Sequence, residues 1–200
     1  MKKNNLITIA IIVGIVLICI FWTMGAYNKM VKADEESTQA WAQVENVYQR
    51  RADLIPNLVN TVKGAANFEK GTLESVIEAR ANATSVKIDP TNLNENNIAA
   101  FQKAQDNLSN ALSKLMVVVE RYPELKANQN FLELQAQLEG TENRITVERK
   151  KFNEIIQKYN TLIRKFPNNI FAGMFGFDKK GYFQAVEGAD KAPTVEFDFK

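Results

Sequence analysis

Between Lys3 and Lys29 the chain carries no charged residue. The core of that run, LITIAIIVGIVLICIFWTMGA, extends from Leu6 to Ala26. A helix of this length rises about 30 Å at 1.5 Å per residue, which matches the hydrocarbon thickness of a bilayer. Trp22 and Tyr27 stand near one end, where amphipathic rings favour the membrane–water boundary. A cleaved signal peptide would have a shorter apolar core and a small-x-small site. Here Met24 occupies the first position of the candidate site Met24-Gly25-Ala26, and large Leu17 and Ile18 precede Cys19 where a lipoprotein signal needs small residues. The run therefore predicts a retained transmembrane helix over 6–26, behind a short tail at 1–5. Its orientation is undecided by charge, because Lys2 and Lys3 on one side balance Lys29 and Lys32 on the other.

The remainder is patterned at heptad spacing. Trp41, Val44, Tyr48, Arg51, Ile55, Leu58 and Val62 step by alternating threes and fours. Ile98, Phe101, Gln105, Leu108, Leu112, Leu115, Val119 and Tyr122 do the same, as do Phe131, Leu134, Leu138, Thr141, Ile145, Glu148, Phe152, Ile155, Tyr159, Leu162 and Phe166. A shorter seam runs through Leu73, Val76, Ile77, Arg80 and Ala83. Such seams pack helices at shallow angles. They predict an all-α fold in which the transmembrane helix continues into an antiparallel, coiled-coil-like four-helix bundle over 27–166. Pro123 and Pro167 mark stops, and Asn130 with Glu133 resembles a helix-start cap. Ser85–Asn97 is polar, contains Pro90 and reads as an exposed loop. Residues 167–200 form a Phe- and Gly-rich tail. It either folds back onto the bundle or offers a patch to a partner or a membrane surface. Within it, TVEFDF alone alternates at period two.

Composition narrows the chemistry. There are no histidines and one cysteine, so Ser-His-Asp and Cys-His sites, His-rich zinc sites, Glu-x-x-His di-iron sites and an intrachain disulfide are excluded. Lys+Arg number 25 against 23 Asp+Glu, a near balance that provides no footprint for nucleic acid. No catalytic, cofactor-binding or metal-ligating set emerges, and no small-molecule substrate is implied.

Three charged features remain. Arg50, Arg51 and Asp53 with Pro56 lack the glycines of a phosphate loop and read as a structural joint. Pro56 removes an N–H and clashes one turn back, so the helix is expected to kink near Ala52. Arg51 and Glu148 are the charged interruptions of two apolar seams. With Arg80 they form a candidate buried ion cluster joining three helices. Glu139 and Glu142 lie off the seam and read as a solvated face beside Arg144 and Arg149. The candidate contact residues for a partner are Arg50, Trp41, Phe171, Phe175 and Phe177.

Several stretches together resemble the LemA family of bacterial membrane proteins: RRADLIPNLVNTVKG, EARA at Glu78–Ala81, VVERYPELKANQNFLELQAQLEGTENRI at Val118–Ile145, and YNTLIRKFPNNIFAGMFGF at Tyr159–Phe177. The resemblance implies an N-terminal membrane helix followed by a helical bundle, and a fold rather than a reaction. It implies a single-pass protein of the bacterial inner membrane, with the short N terminus outside and the bundle in the cytoplasm. It also implies an association with envelope stress and a membrane zinc metalloprotease. The resulting expectation is a non-enzymatic scaffold or adaptor that binds a protein partner or a second copy of itself; the alternative is a regulatory or substrate-presenting partner of a membrane protease.

Overall fold

A computed structural model describes residues 2–64 and 68–184, with side chains from residue 7 onward. Six helices follow in order: α1 (Lys2–Lys63), α2 (Lys70–Ser85), α3 (Glu95–Val119), α4 (Pro123–Lys126), α5 (Gln129–Arg164) and α6 (Asn168–Phe175). No strand occurs among the described residues; TVEFDF lies outside them.

α1 is one helix from the apolar run to the far end of the bundle. Every large apolar side chain from Ile7 to Met24 is exposed. Burial begins at Ala26 and Met30, where the heptad pattern takes over. All seven seam residues from Trp41 to Val62 are buried, Arg51 among them. α5 packs along α1 in the opposite direction, so that Met30 meets Tyr159 and Trp41 meets Phe152.

Three apolar clusters follow one another along the axis. The first, beside the apolar span, joins Ala26, Met30, Tyr159, Ile163 and Ala172. The second surrounds Trp41 with Phe101, Phe152 and Phe183. The third, at the far end, unites Ile55, Leu58, Val62, Val76, Leu115 and Phe131. α2 and α3 pair as a hairpin that contributes to the second and third clusters but not the first. The four-helix layer is therefore confined to the far part of the molecule. Nearer the span, α1 and α5 are covered by α6 and by residues 177–184.

Several local expectations are corrected. Segment 85–97 is not wholly exposed: Ile88 and Leu93 enter the second cluster. α5 is capped by Asn128, which accepts from Phe131 N–H at 3.2 Å, two residues before the expected Asn130. Ile77 is exposed rather than inward. Phe166, placed on the α5 seam, is 81% exposed. α5 ends at Arg164 and Lys165 is extended, so the seam stops short of Phe166; in the last turns Ile156, Asn160 and Ile163 join Tyr159 on the buried face, as the drift of a straight helix by about 20° per heptad against a 3.5 repeat implies.

Candidate functional site

After α6 the chain turns at Gly176, whose φ of 74° is a left-handed value that favours glycine. It then runs extended as a strap, Phe177–Gln184, antiparallel to α5. Tyr159 Oη donates to the Asp178 carbonyl at 3.0 Å. Asn160 Oδ1 accepts from Lys180 N–H at 2.9 Å while its Nδ2 donates to the Lys180 carbonyl at 2.9 Å. Asn153 repeats the arrangement on Phe183, accepting at 2.9 Å and donating at 2.8 Å. Gln102 of α3 does so on Gln184 at 3.0 and 3.1 Å, and Arg149 adds a bond to the Gln184 carbonyl. Gly181 N–H donates to the Leu93 carbonyl at 2.8 Å.

The spacing accounts for the fit. Seven helical residues from Asn153 to Asn160 rise about 10.5 Å, and three extended residues from Lys180 to Phe183 rise about 10 Å. Each asparagine follows an aromatic seam residue, Phe152 or Tyr159, and so stands at the edge of the buried face. Those paired positions were the available signal in the sequence, although the spacing alone does not name the segment they hold.

Side chains of the strap are also seated. Lys180 is 5% exposed, lies 2.8 Å from Asp34 Oδ1, and stands 5.0 Å from the centre of the Tyr159 ring. Burial, with Asp34 and Asp178 nearby, pushes the Tyr159 hydroxyl well above the ordinary tyrosine range. Phe183 is buried against Trp41, Phe101 and Phe152 at ring separations of 6.2, 6.5 and 5.4 Å. A Cβ on Gly181 would stand 2.6 Å from Glu95 Cα, so close approach of two backbones requires glycine there.

The predicted ion cluster is assembled differently. Arg51 is 2% exposed and its guanidinium donates to Glu142 at 2.9 Å, to Ser109 at 2.7 Å and to the Gln105 side chain at 2.7 Å. Glu142, read as a solvated residue, is the ionic partner. Glu148 instead pairs with Lys151 one turn away. Arg80 does not join the cluster: its Nε donates to the Ala52 carbonyl at 2.7 Å. That carbonyl is the one Pro56 cannot bond. Glu139, Glu142 and Glu148 thus serve three separate contacts, Glu139 accepting from Gln135. Burial raises the Tyr48 hydroxyl pKa, against the lowering effect of Arg149 and Arg51.

Of the candidate contact residues, Trp41 is fully buried and cannot present a surface. Arg50 is exposed. Phe171 stacks edge-on against Trp22 at 5.5 Å, and Phe175 and Phe177 flank Tyr27 at 5.0 and 5.8 Å. These rings form a collar at the base of the apolar span. Exposed Phe166, Ile170, Met174 and Phe175 lie on or beside α6 in the same region.

The groups gathered here are amides, arginines and aromatic rings, which hold main chain and apolar surface. The fold and this site define a class: helical bundles built on a long helix with an exposed apolar N-terminal span, and closed by a clamped tail. The LemA family model matches residues 40–197, and the chain belongs to the LemA family. It is 27% identical to magnetosome protein MamQ 2 of Paramagnetospirillum magneticum, over 82% of this chain and 66% of that protein. It is 26% identical to magnetosome protein MamQ of Magnetospirillum gryphiswaldense, again over 82% and 66%. Protein LemA of Metamycoplasma hominis is 25% identical over 84% of this chain and 73% of its own length. The chain thus spans slightly less than two thirds of the magnetosome relatives it matches.

Proposed function

We propose that this protein is a membrane-anchored, non-catalytic scaffold or adaptor whose bundle holds a protein partner or a second copy of the chain. The observation that carries this reading is the continuity of α1. One helix supplies both an apolar span exposed on every side and the central member of the bundle. An apolar surface of that extent needs a bilayer around it. The collar of Trp22, Tyr27, Phe171, Phe175 and Phe177 supports the same placement, since aromatic rings favour the interface. Phe166, Ile170 and Met174 would then face headgroups rather than water. The bundle lies on the cytoplasmic side of the bacterial inner membrane, as the family resemblance implies.

Crosslinking of the native protein in its own membrane, followed by extraction at alkaline pH, tests the reading. The expected result is retention in the membrane pellet and a discrete crosslinked species that includes the bundle. Release into the soluble fraction would remove the anchor; an intact anchor with no crosslinked species would remove the adaptor.

A further inference from the structure

α6 carries no charged residue and presents two faces. Ala172 is buried in the first cluster, with Phe171 packed beside it. On the other side Ile170 and Met174, four residues apart and so on one face, are 52% and 72% exposed, and exposed Phe166 precedes them. A surface helix ordinarily turns a polar face to water, whereas this one turns out apolar side chains. Its depth shows what covers them. Phe171 meets Trp22 at 5.5 Å, and Trp22 belongs to the last turns of the apolar run. α6 therefore lies alongside the end of the span, and its outward face continues the span's exposed surface.

Around that face the charge is one-sided. Lys29 and Lys32 of α1, and Arg164 and Lys165 at the end of α5, are all exposed. Ile163 shares the first cluster with Ala26 and Met30, which brings the two pairs to one depth, within about two helical turns. No carboxylate occurs before Asp34 or between 155 and 177, although the charges of the whole chain nearly cancel. Asp34 is taken by Lys180 at 2.8 Å, and Glu35 and Glu36 stand farther from the span. Among the described residues none of the four cations has an ion-pair partner.

We propose that α6 and these four cations form a second membrane contact, a site for anionic phospholipids at the bilayer surface. Phe166, Ile170 and Met174 enter the boundary between headgroups and acyl chains, while Lys29, Lys32, Arg164 and Lys165 meet lipid phosphates. The bilayer is the occupant because the apolar face is continuous with the span. Anionic lipid is the class because the cations at that depth lack carboxylates of their own. The inference rests on the membrane-anchored reading and adds a lipid preference to it. Two contacts, the span and α6, also fix the rotation of α1 about its own axis, which a lone span leaves free.

The test uses the full-length chain in nanodiscs made from equal parts of phosphatidylcholine and phosphatidylglycerol. In a Cys19→Ala background, nitroxide labels are placed singly at Ile170→Cys and Met174→Cys, with Val13→Cys in the span and Val117→Cys on exposed α3 as references. Collisions with lipid-soluble oxygen and with a water-soluble nickel complex report depth. Labels at 170 and 174 are expected to collide mainly with oxygen, as at 13, while the label at 117 meets nickel. Aqueous labels at 170 and 174 with a lipid-exposed label at 13 overturn the second contact and leave the anchor standing. An aqueous label at 13 removes the anchored reading, and this inference with it. Labels at 170 and 174 that meet neither reagent overturn the lipid and give the face to a protein partner.

Quenching of Trp22 fluorescence by brominated lipids provides the second measurement, since Trp22 stands at the same collar while Trp41 is buried within the bundle. Brominated phosphatidylglycerol is expected to associate about fivefold more strongly than brominated phosphatidylcholine, the preference that one cation near an anionic surface supplies. Changing Lys29, Lys32, Arg164 and Lys165 together to Gln should bring the ratio close to one. All four are exposed, so the melting temperature of the bundle should stay as it was. Equal association of the two lipids with the unaltered chain, or a preference that survives the four changes, overturns the anionic site.

Discussion

Arg80 Nε donates at 2.7 Å to the Ala52 carbonyl, the acceptor that Pro56 leaves without its helical donor. A side chain of α2 thus replaces a main-chain bond of α1. It allows a proline to sit inside a helix while the freed carbonyl remains satisfied in the interior.

This pairing predicts coupling. Arg80→Met should destabilise the bundle by about 1–3 kcal/mol, because it strands a carbonyl. In a Pro56→Ala background, residue 56 again supplies an N–H, and the same change should cost about 1 kcal/mol less. Denaturant unfolding of the four members of the cycle measures the difference, and strict additivity would refute the role.

Arg51 predicts an asymmetric response. Arg51→Ala should cost about 3 kcal/mol, since it leaves Gln105 and Ser109 facing a cavity. Glu142→Gln should cost less than about 1 kcal/mol, because Glu142 is 52% exposed and water can replace it. Arg51→Met, which fills the volume without charge, should recover most of the loss while weakening the fixed register of α1 against α3 and α5. Melting temperature together with the number of resolved amide resonances would show both effects.

Gly181→Ala should loosen the strap and leave the helices intact. The new methyl would meet Glu95 Cα at 2.6 Å, a backbone atom with no flexible end to move aside. A cost of about 1–3 kcal/mol is expected, confined to residues 178–184. Hydrogen exchange at the Lys180, Gly181 and Phe183 amides should accelerate, while exchange in α5 stays as it was.

Alkaline pH should release the same region. The Tyr159 pKa is raised in the folded protein, so this residue's contribution is complete below its unfolded value of about 10 and falls as pH rises above it. Stability should therefore decline with a steeper slope above about pH 10 than in Tyr159→Phe, which cannot ionise. That variant should also lose about 1 kcal/mol at neutral pH, with its bond to the Asp178 carbonyl. Thermal melts from pH 8 to 12 compare the slopes.

The architecture was readable where local patterning governs. The α1 seam predicted seven inward positions, and all seven are buried. Arg51 could be placed inward from spacing, but its partner could not. Glu148 occupies the heptad slot on paper, yet Glu142 reaches the guanidinium from an exposed position because its side chain spans the edge of the interface. Trp41 illustrates a competition: a large aromatic suits a contact surface and a core equally well, and here the ring of Phe183 covers it. That covering depends on a match between Asn153, Asn160 and a segment some twenty to thirty residues later. No periodicity encodes such a match. It arises from complementary main-chain groups that become visible only when the two are side by side.

The unbroken course of α1 has a mechanical consequence. From Ala26 to Lys63 the helix is about 55 Å of stiff rod, so a tilt of about ten degrees at the apolar span swings the far end through about 10 Å. Such a lever converts local bilayer deformation into displacement well inside the aqueous phase, and Arg80 keeps the carbonyl freed by Pro56 satisfied along that arm.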